Sequence, residues 1–114
     1  MVEQAQIDEV FQALSNVNRR LVLERLSGGP ATVTELAAGF DMQLPSFVQH
    51  LAILEKSRLV RSDKRGRVRT YEVAPESFQV VEGWLAARRR EWEARLDRFD
   101  QVILKLRKEE ETPK

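Results

Sequence analysis

The 114 residues are 42% hydrophobic and 32% charged, with a net charge of +1, which suits one small domain with a modest core. The absence of cysteine excludes disulfides, thiolate metal sites and thiol redox sensing. No apolar run approaches the roughly 18 residues of a membrane span, and the N-terminus lacks a basic-then-apolar signal, so the expected location is cytoplasmic, with no membrane attachment.

Ile7, Val10, Phe11 and Leu14 recur with helical spacing and predict a first amphipathic helix over 4–14, interrupted at Ser15 and Asn16. One of those two caps a second helix, whose Val17, Leu21, Val22, Leu23 and Leu26 make a face wide enough to enter a core. Gly28-Gly29-Pro30 stops it, and Arg19 and Arg20 are expected on its outer side. Thr32-Val33-Thr34-Glu35 has the pattern of a capping box, opening a short third helix with Val33, Leu36 and Ala37 inward and Gly39 left-handed at its end. Only Phe40 to Gln43 separate this helix from a fourth. Two short helices joined so tightly cross steeply, which predicts a helix-turn-helix over 32–57.

The fourth helix opens at Pro45, where the first turn tolerates a missing amide, and ends near Ser57. Phe47, Leu51 and Leu54 fall on one face. Ser46, Val48, Gln49 and His50 turn the other way and are short or planar enough to meet base edges, which makes them, with Gln43 and Leu44, candidate DNA contacts. Leu59 to Ser62 and Val68 to Val73 favour strands flanking Asp63-Lys64-Arg65-Gly66-Arg67, a hairpin over 59–73 with Gly66 at the turn. Seven basic residues against two acidic ones lie between Lys56 and Glu72, so Lys64, Arg65, Arg67 and Arg69 are expected to meet phosphate or the minor groove.

From Pro75 the pattern is helical again, through Phe78, Val81 and Leu85 and then Trp92, Leu96, Phe99, Ile103 and Leu106, as one long helix or two joined end to end. Some 30 residues extend about 45 Å, longer than so small a domain is wide. Segments 1–14 and 75–108 are therefore expected to dimerise, with Val10, Phe11, Trp92, Leu96, Phe99, Ile103 and Leu106 short of partners within one chain. The expected organisation is a single domain over 1–108, mainly α with a small β-hairpin, followed by a flexible tail over 109–114.

Helix, helix, helix, helix, hairpin, long helix is the order of a winged helix-turn-helix. The segments ALSNVNRRLVLERL, VTELAAGFDMQLPSFVQHLAILEKSRLV and KRGRVRTYEV resemble blocks of the ArsR-type family of bacterial transcriptional repressors, over about residues 8 to 100. The likeness is strongest from His50-Leu51 through Leu54-Glu55 to Leu59-Val60, and the tail WLAARRREWEARLDRFDQVI is similar to a branch without metal sites. The resemblance implies a homodimer that binds a pseudo-palindromic operator and represses transcription, often of its own gene. Four positions depart from the family pattern: Gln43 stands at the usual capping serine, Val48-Gln49 precedes the histidine, and Arg58 replaces a common glycine, adding charge near the DNA and strain to the turn.

His50, the sole histidine, suits a phosphate or base contact, or a hydrogen bond bracing the helix, better than a metal site, which needs three or four ligands. Glu91, Glu93, Asp97 and Asp100 alternate with Arg90, Arg95 and Arg98 and read as a solvated, ion-paired face. No nucleophile with a base, metal cluster or glycine-rich phosphate loop points to an enzyme, and no cofactor is implied. The readings left are a DNA-binding regulator and a winged-helix protein-interaction adapter. Control of a regulator falls to its own level, through autorepression, or to an unidentified organic effector entering between the first helix and the Trp84–Trp92 segment.

Overall fold

The computed structural model describes residues 2–111, and the chain divides into two units, Met1–Val81 and Glu82–Lys114. The first unit runs α1 (Val2–Leu14), α2 (Val17–Leu26), β1 (Ala31–Thr32), α3 (Val33–Ala37), α4 (Leu44–Lys56), β2 (Val60–Arg65), β3 (Val68–Val73) and the start of α5 (Glu76–Glu111). It is a winged helix-turn-helix: a small antiparallel sheet of order β1-β3-β2 beside a cluster of helices.

Local sequence accounts for most of the element ends. The Asn16 side chain accepts from the amides of Asn18 at 2.8 Å and Arg19 at 3.2 Å, satisfying two donors that the first turn of α2 leaves free. The capping box at α3 is formed, with Glu35 N donating to Thr32 Oγ1 at 3.2 Å and Thr32 N to Glu35 Oε1 at 3.0 Å. That amide bond, more than any other influence, holds the Glu35 carboxyl below its ordinary pKa. Gly39 is not left-handed. The chain leaves α3 through tight right-handed turns, Gly39 N to Leu36 O and Phe40 N to Ala37 O, and the positive-φ glycines are Gly29 and Gly66.

The core gathers Val10, Ala13, Val22, Leu23, Leu26, Leu36, Phe47, Leu51, Leu54, Leu59, Val60, Tyr71 and Val81. Two expectations fail here. Val17 and Leu21 are exposed, because they lie across α2 from the stripe Val22, Leu23 and Leu26 that the core takes. Val10 is wholly enclosed, 0% exposed among its own chain's side chains, so it is a core residue and not a face for a second copy. Phe11, one position further round α1, is exposed.

The hairpin is longer and its turn tighter than the composition suggests. β2 continues through Asp63, Lys64 and Arg65, in register with β3 from Val60 opposite Val73 to Arg65 opposite Val68. Gly66 and Arg67 alone make the turn, with Gly66 at φ 64°, the positive value a type II′ turn requires at its first central position. β1, too short to be read from its two residues, pairs Ala31 with Tyr71 and Thr32 with Thr70.

The junction between α4 and β2 is held by buried polar groups that are all paired. Ser57 Oγ donates to Leu54 O at 2.9 Å, and Ser77 Oγ, at the start of α5, donates to Ser57 O at 2.8 Å. Ala74 N donates to Leu59 O at 2.9 Å. Arg58, between them, is the one non-glycine residue with positive φ among the described residues, at 63°. It lines a groove with Ala5, Gln6 and Glu9 of α1, rather than flanking the outer face of α4.

The second unit is the remainder of α5, which is one helix through Glu111. The flexible tail expected from 109 is therefore helical over 109–111, and 112–114 lie outside the described residues. Arg88 donates to Glu91 at 2.9 Å and stacks its guanidinium over the Trp84 ring at 5.3 Å. Leu85, Trp92, Phe99 and Leu106 recur every seventh residue, with Leu96 and Ile103 four positions on, the spacing of a helix seam. All of these but the half-buried Ile103 are exposed. No helix among the described residues is long and apolar enough to cross a membrane.

A left-handed residue bearing a Cβ costs about 1–2 kcal/mol. Replacing Arg58 with glycine is expected to stabilise the full chain by about 1 kcal/mol, after allowance for the entropy glycine loses on folding. Urea unfolding of both proteins checks it, and an unchanged or lowered midpoint counts against strain at this turn.

Candidate nucleic-acid interface

Phe47, Leu51 and Leu54 are buried, and their burial decides which side of α4 faces out. Gln43 precedes the helix in an extended conformation and makes no side-chain cap, and Pro45 sits in the first turn. The opening amides of α4 are thus left for an outside acceptor. Gln43, Leu44, Ser46, Val48 and Gln49 are all exposed, as their positions around the helix require.

The two flanks of α4 differ. Ile53 and Lys56 lie over a groove of about 320 Å³ shared with Glu9, Gln12 and Ser15 of the α1 end and with Arg19. On the opposite flank, Glu55 reaches the wing, where Ser62 Oγ donates to both of its carboxylate oxygens at 3.0 and 3.1 Å. Arg69 Nη1 donates to the same hydroxyl at 2.7 Å. Arg69 is thereby half-buried at the junction of α4 and the wing, unlike the free wing contact its place in a cationic run suggests. Tyr71 lies on the same sheet face, and burial first, then the Glu55 charge, raise its hydroxyl above its ordinary pKa.

Of the two roles expected of His50, the bracing contact is present. Its Nδ1 lies 3.1 Å from Arg19 Nη1. The same guanidinium donates through Nε to Ala13 O at 2.8 Å and through Nη2 to Gln12 O at 3.0 Å, closing the C-terminal end of α1. Since arginine can only donate, Nδ1 is the acceptor and the neutral ring carries its proton on Nε2. Burial, and then the Arg19 charge, lower the His50 pKa. Arg19 is the residue sequence reasoning misplaced. Its place in the sequence suggests the outer side of α2, but it ties α1 to α4, and no local pattern links it to a histidine 31 positions away.

At the wing, Arg61 pairs with Glu72 at 2.7 Å and approaches Glu76 at 3.8 Å. Arg65 meets Asp63 at 3.1 Å, but the arginine side chain is 91% exposed, so the pair is worth little in water. Lys64 and Arg67 have no ion-pair partner among the described residues. The cationic tip is thus Lys64, Arg65 and Arg67, at the turn end of the hairpin whose Ser62 is bonded to Glu55 of α4. No group of three or more His, Cys, Asp or Glu side chains converges as a metal site among the described residues.

A family described as a helix-turn-helix domain matches residues 14–63. The HTH-type transcriptional regulator Rv2034 of Mycobacterium tuberculosis is 38% identical over 74 residues, 65% of this chain and 69% of that one. The crystal structure of an ArsR family transcriptional regulator, RHA00566, is 52% identical and superposes with a TM-score of 0.77 over 79% of this chain and 93% of that one. The solution structure of the homodimeric winged helix-turn-helix DNA-binding domain of Mb0332 from Mycobacterium bovis is 25% identical, with a TM-score of 0.61 over 76% and 82% of the two chains.

A base whose folded pKa lies below its unfolded value binds fewer protons when folded. The stability contributed by neutral His50 is therefore present above its ordinary value of 6.5 and is lost as pH falls through the folded value. A proton NMR titration is expected to place His50 below 6.5 and to show its pKa rising in Arg19→Met. No rise in that variant would mean that the guanidinium does not act on the ring.

Proposed function

Because the chain belongs to the ArsR family of transcriptional regulators, we propose that it binds a pseudo-palindromic operator as a homodimer and represses transcription there, its own gene included. The single observation that carries the reading is an exposed outer face of α4, its first turn without a side-chain cap, joined through Glu55 and Ser62 to a hairpin with a cationic tip. Such a helix enters the major groove while the wing follows the backbone. Phosphate contacts by Lys64, Arg65 and Arg67 position the protein, and side chains of Gln43, Leu44, Ser46, Val48 and Gln49 meet bases.

Dimerisation supplies the second half-site. The exposed seam of Trp92, Leu96, Phe99 and Leu106 finds in a second copy the cover that its own unit does not provide, with Ile103 at its margin and Phe11 of α1 as a further contact. Two recognition helices then meet successive major grooves about 34 Å apart. A dimer seated across a promoter blocks it by occupancy. With no cysteine in the chain, control rests on the protein's own level or on an organic effector, and not on a thiol-bound metal or an oxidant.

DNA selected from a random pool and titrated by fluorescence anisotropy tests the reading. Arg65→Ala and Arg67→Ala are each expected to weaken binding to every sequence and to flatten the salt slope by roughly one unit. Binding that is absent, or indifferent to salt, would favour a protein-interaction adapter. Leu96→Asp with Phe99→Asp is expected to yield monomers with weak operator binding. Sedimentation of the unaltered protein as a monomer at micromolar concentration would remove the two-half-site architecture.

A further inference from the structure

The presented face of α4 lacks the side chains that read G·C pairs. From Gln43 to Ile53 no Arg, Lys, Asp or Glu occurs. Arginine and lysine are the usual partners of guanine O6 and N7, and carboxylates accept from cytosine N4. His50, the remaining cationic candidate, is turned to Arg19 and kept neutral. What the face does present is two large apolar side chains and two primary amides. Leu44 is 55% exposed and Val48 44% exposed, four residues apart and therefore stacked on one stripe of the helix.

That stripe has a defined direction. Glu55 lies seven residues beyond Val48, two turns along the same stripe, and its carboxylate accepts from Ser62 of β2. Leu44 and Val48 are thus on the wing flank of α4, whereas Ile53 covers the groove shared with the end of α1. An apolar stripe on the flank that meets a hairpin with a cationic tip suits a polyanion that carries methyl groups in a groove. The thymine C5-methyl is that group, and it is the apolar mark of an A·T pair in the major groove.

We propose that α4 reads thymine methyl groups through Leu44 and Val48, so that each half-site centres on A·T pairs, with Gln49 placed to meet adenine N6 and N7. The proposal rests on the operator-binding reading and adds the base class.

The test uses the full chain and a duplex selected from a random pool. Each thymidine is replaced in turn by deoxyuridine, which keeps the base-pairing edge and lacks only the methyl. One or two positions in each half-site are expected to weaken binding about fourfold per methyl lost. Val48→Ala and Leu44→Ala, each verified as folded dimers by circular dichroism and sedimentation, are expected to bind thymidine and deoxyuridine duplexes equally at the matching position. Arg67→Ala, which weakens all binding, is expected to keep the difference. Tight, sequence-selective binding with no deoxyuridine effect at any position overturns the methyl readout and leaves operator binding standing. Selected half-sites centred on G·C pairs do the same. If no sequence is selected at all, the operator reading itself has failed and the methyl readout with it. Loss of dimer in Val48→Ala or Leu44→Ala, with deoxyuridine neutral throughout, would assign the stripe to contact between copies instead.

Discussion

The packing of Phe47, Leu51 and Leu54 into the core is the constraint on which the rest of the molecule depends. The three residues are almost fully enclosed, in one core cluster with Leu36 of α3, Leu26 of α2 and Val60 of β2. A helix has one register, so burying this stripe fixes every other azimuth of α4. Gln49 then faces outward, His50 faces the end of α1, and Leu44, Val48 and Glu55 face the wing. Slipping α4 by one residue would carry each side chain round by about 100° and would put Val48 where Phe47 belongs. The identity of the presented face is thus a consequence of hydrophobic burial, and the chemistry of recognition is whatever side chains fall on the remaining arc.

A presented helix also has to be held at its ends. At the C-terminal end, Ser57 Oγ donates to Leu54 O and Ser77 Oγ donates to Ser57 O, and Leu59 packs in the core with no exposure. At mid-helix, Arg19 joins His50 to two carbonyls of α1. On the wing side, Glu55, Ser62 and Arg69 form a chain of hydrogen bonds between helix and hairpin. Polar groups used in this way restrict orientation more than they add stability, because each replaces bonds to water. The N-terminal end is the exception. Gln43 leaves the first turn uncapped, so the one loosely tied end of α4 is the end that reaches the proposed DNA.

Electrostatics follow a similar division. A net charge of +1 predicts no nucleic acid, and the cationic run from Lys56 to Glu72 predicts more than the fold delivers. Arg61 is spent on Glu72 and Arg69 on Ser62, while Lys56 and Arg58 line grooves beside α1. The alternation of side chains along β2 and β3 separates Arg61 from Lys64 and sets the tip residues apart. Lys64, Arg65 and Arg67 remain, close together at a two-residue turn. Concentrating a few cations at one projecting point produces a local field that the overall balance hides.

The sequence by itself determined the order of the helices and the hairpin, the capping box at Thr32, the buried stripe of α4, the turn at Gly66 and the membership of a winged helix-turn-helix family, and it narrowed the cap of α2 to Ser15 or Asn16. These depend on contacts between residues a few positions apart, or on periodicity within one element, and both are written locally. Only the tertiary structure decided that Val10 is enclosed while Phe11 is not, that Val17 and Leu21 stay in water, that β1 exists, and that Arg19 and Arg69 turn inward. Each of those outcomes depends on which surface arrives from elsewhere in the chain. Arg19 finds His50 across 31 residues, and Ala31 finds Tyr71 across 40. A side chain's type says what it can bond, but its partner is chosen by the packing of distant segments, and for that reason the candidate site was legible as a helix and a hairpin before it was legible residue by residue.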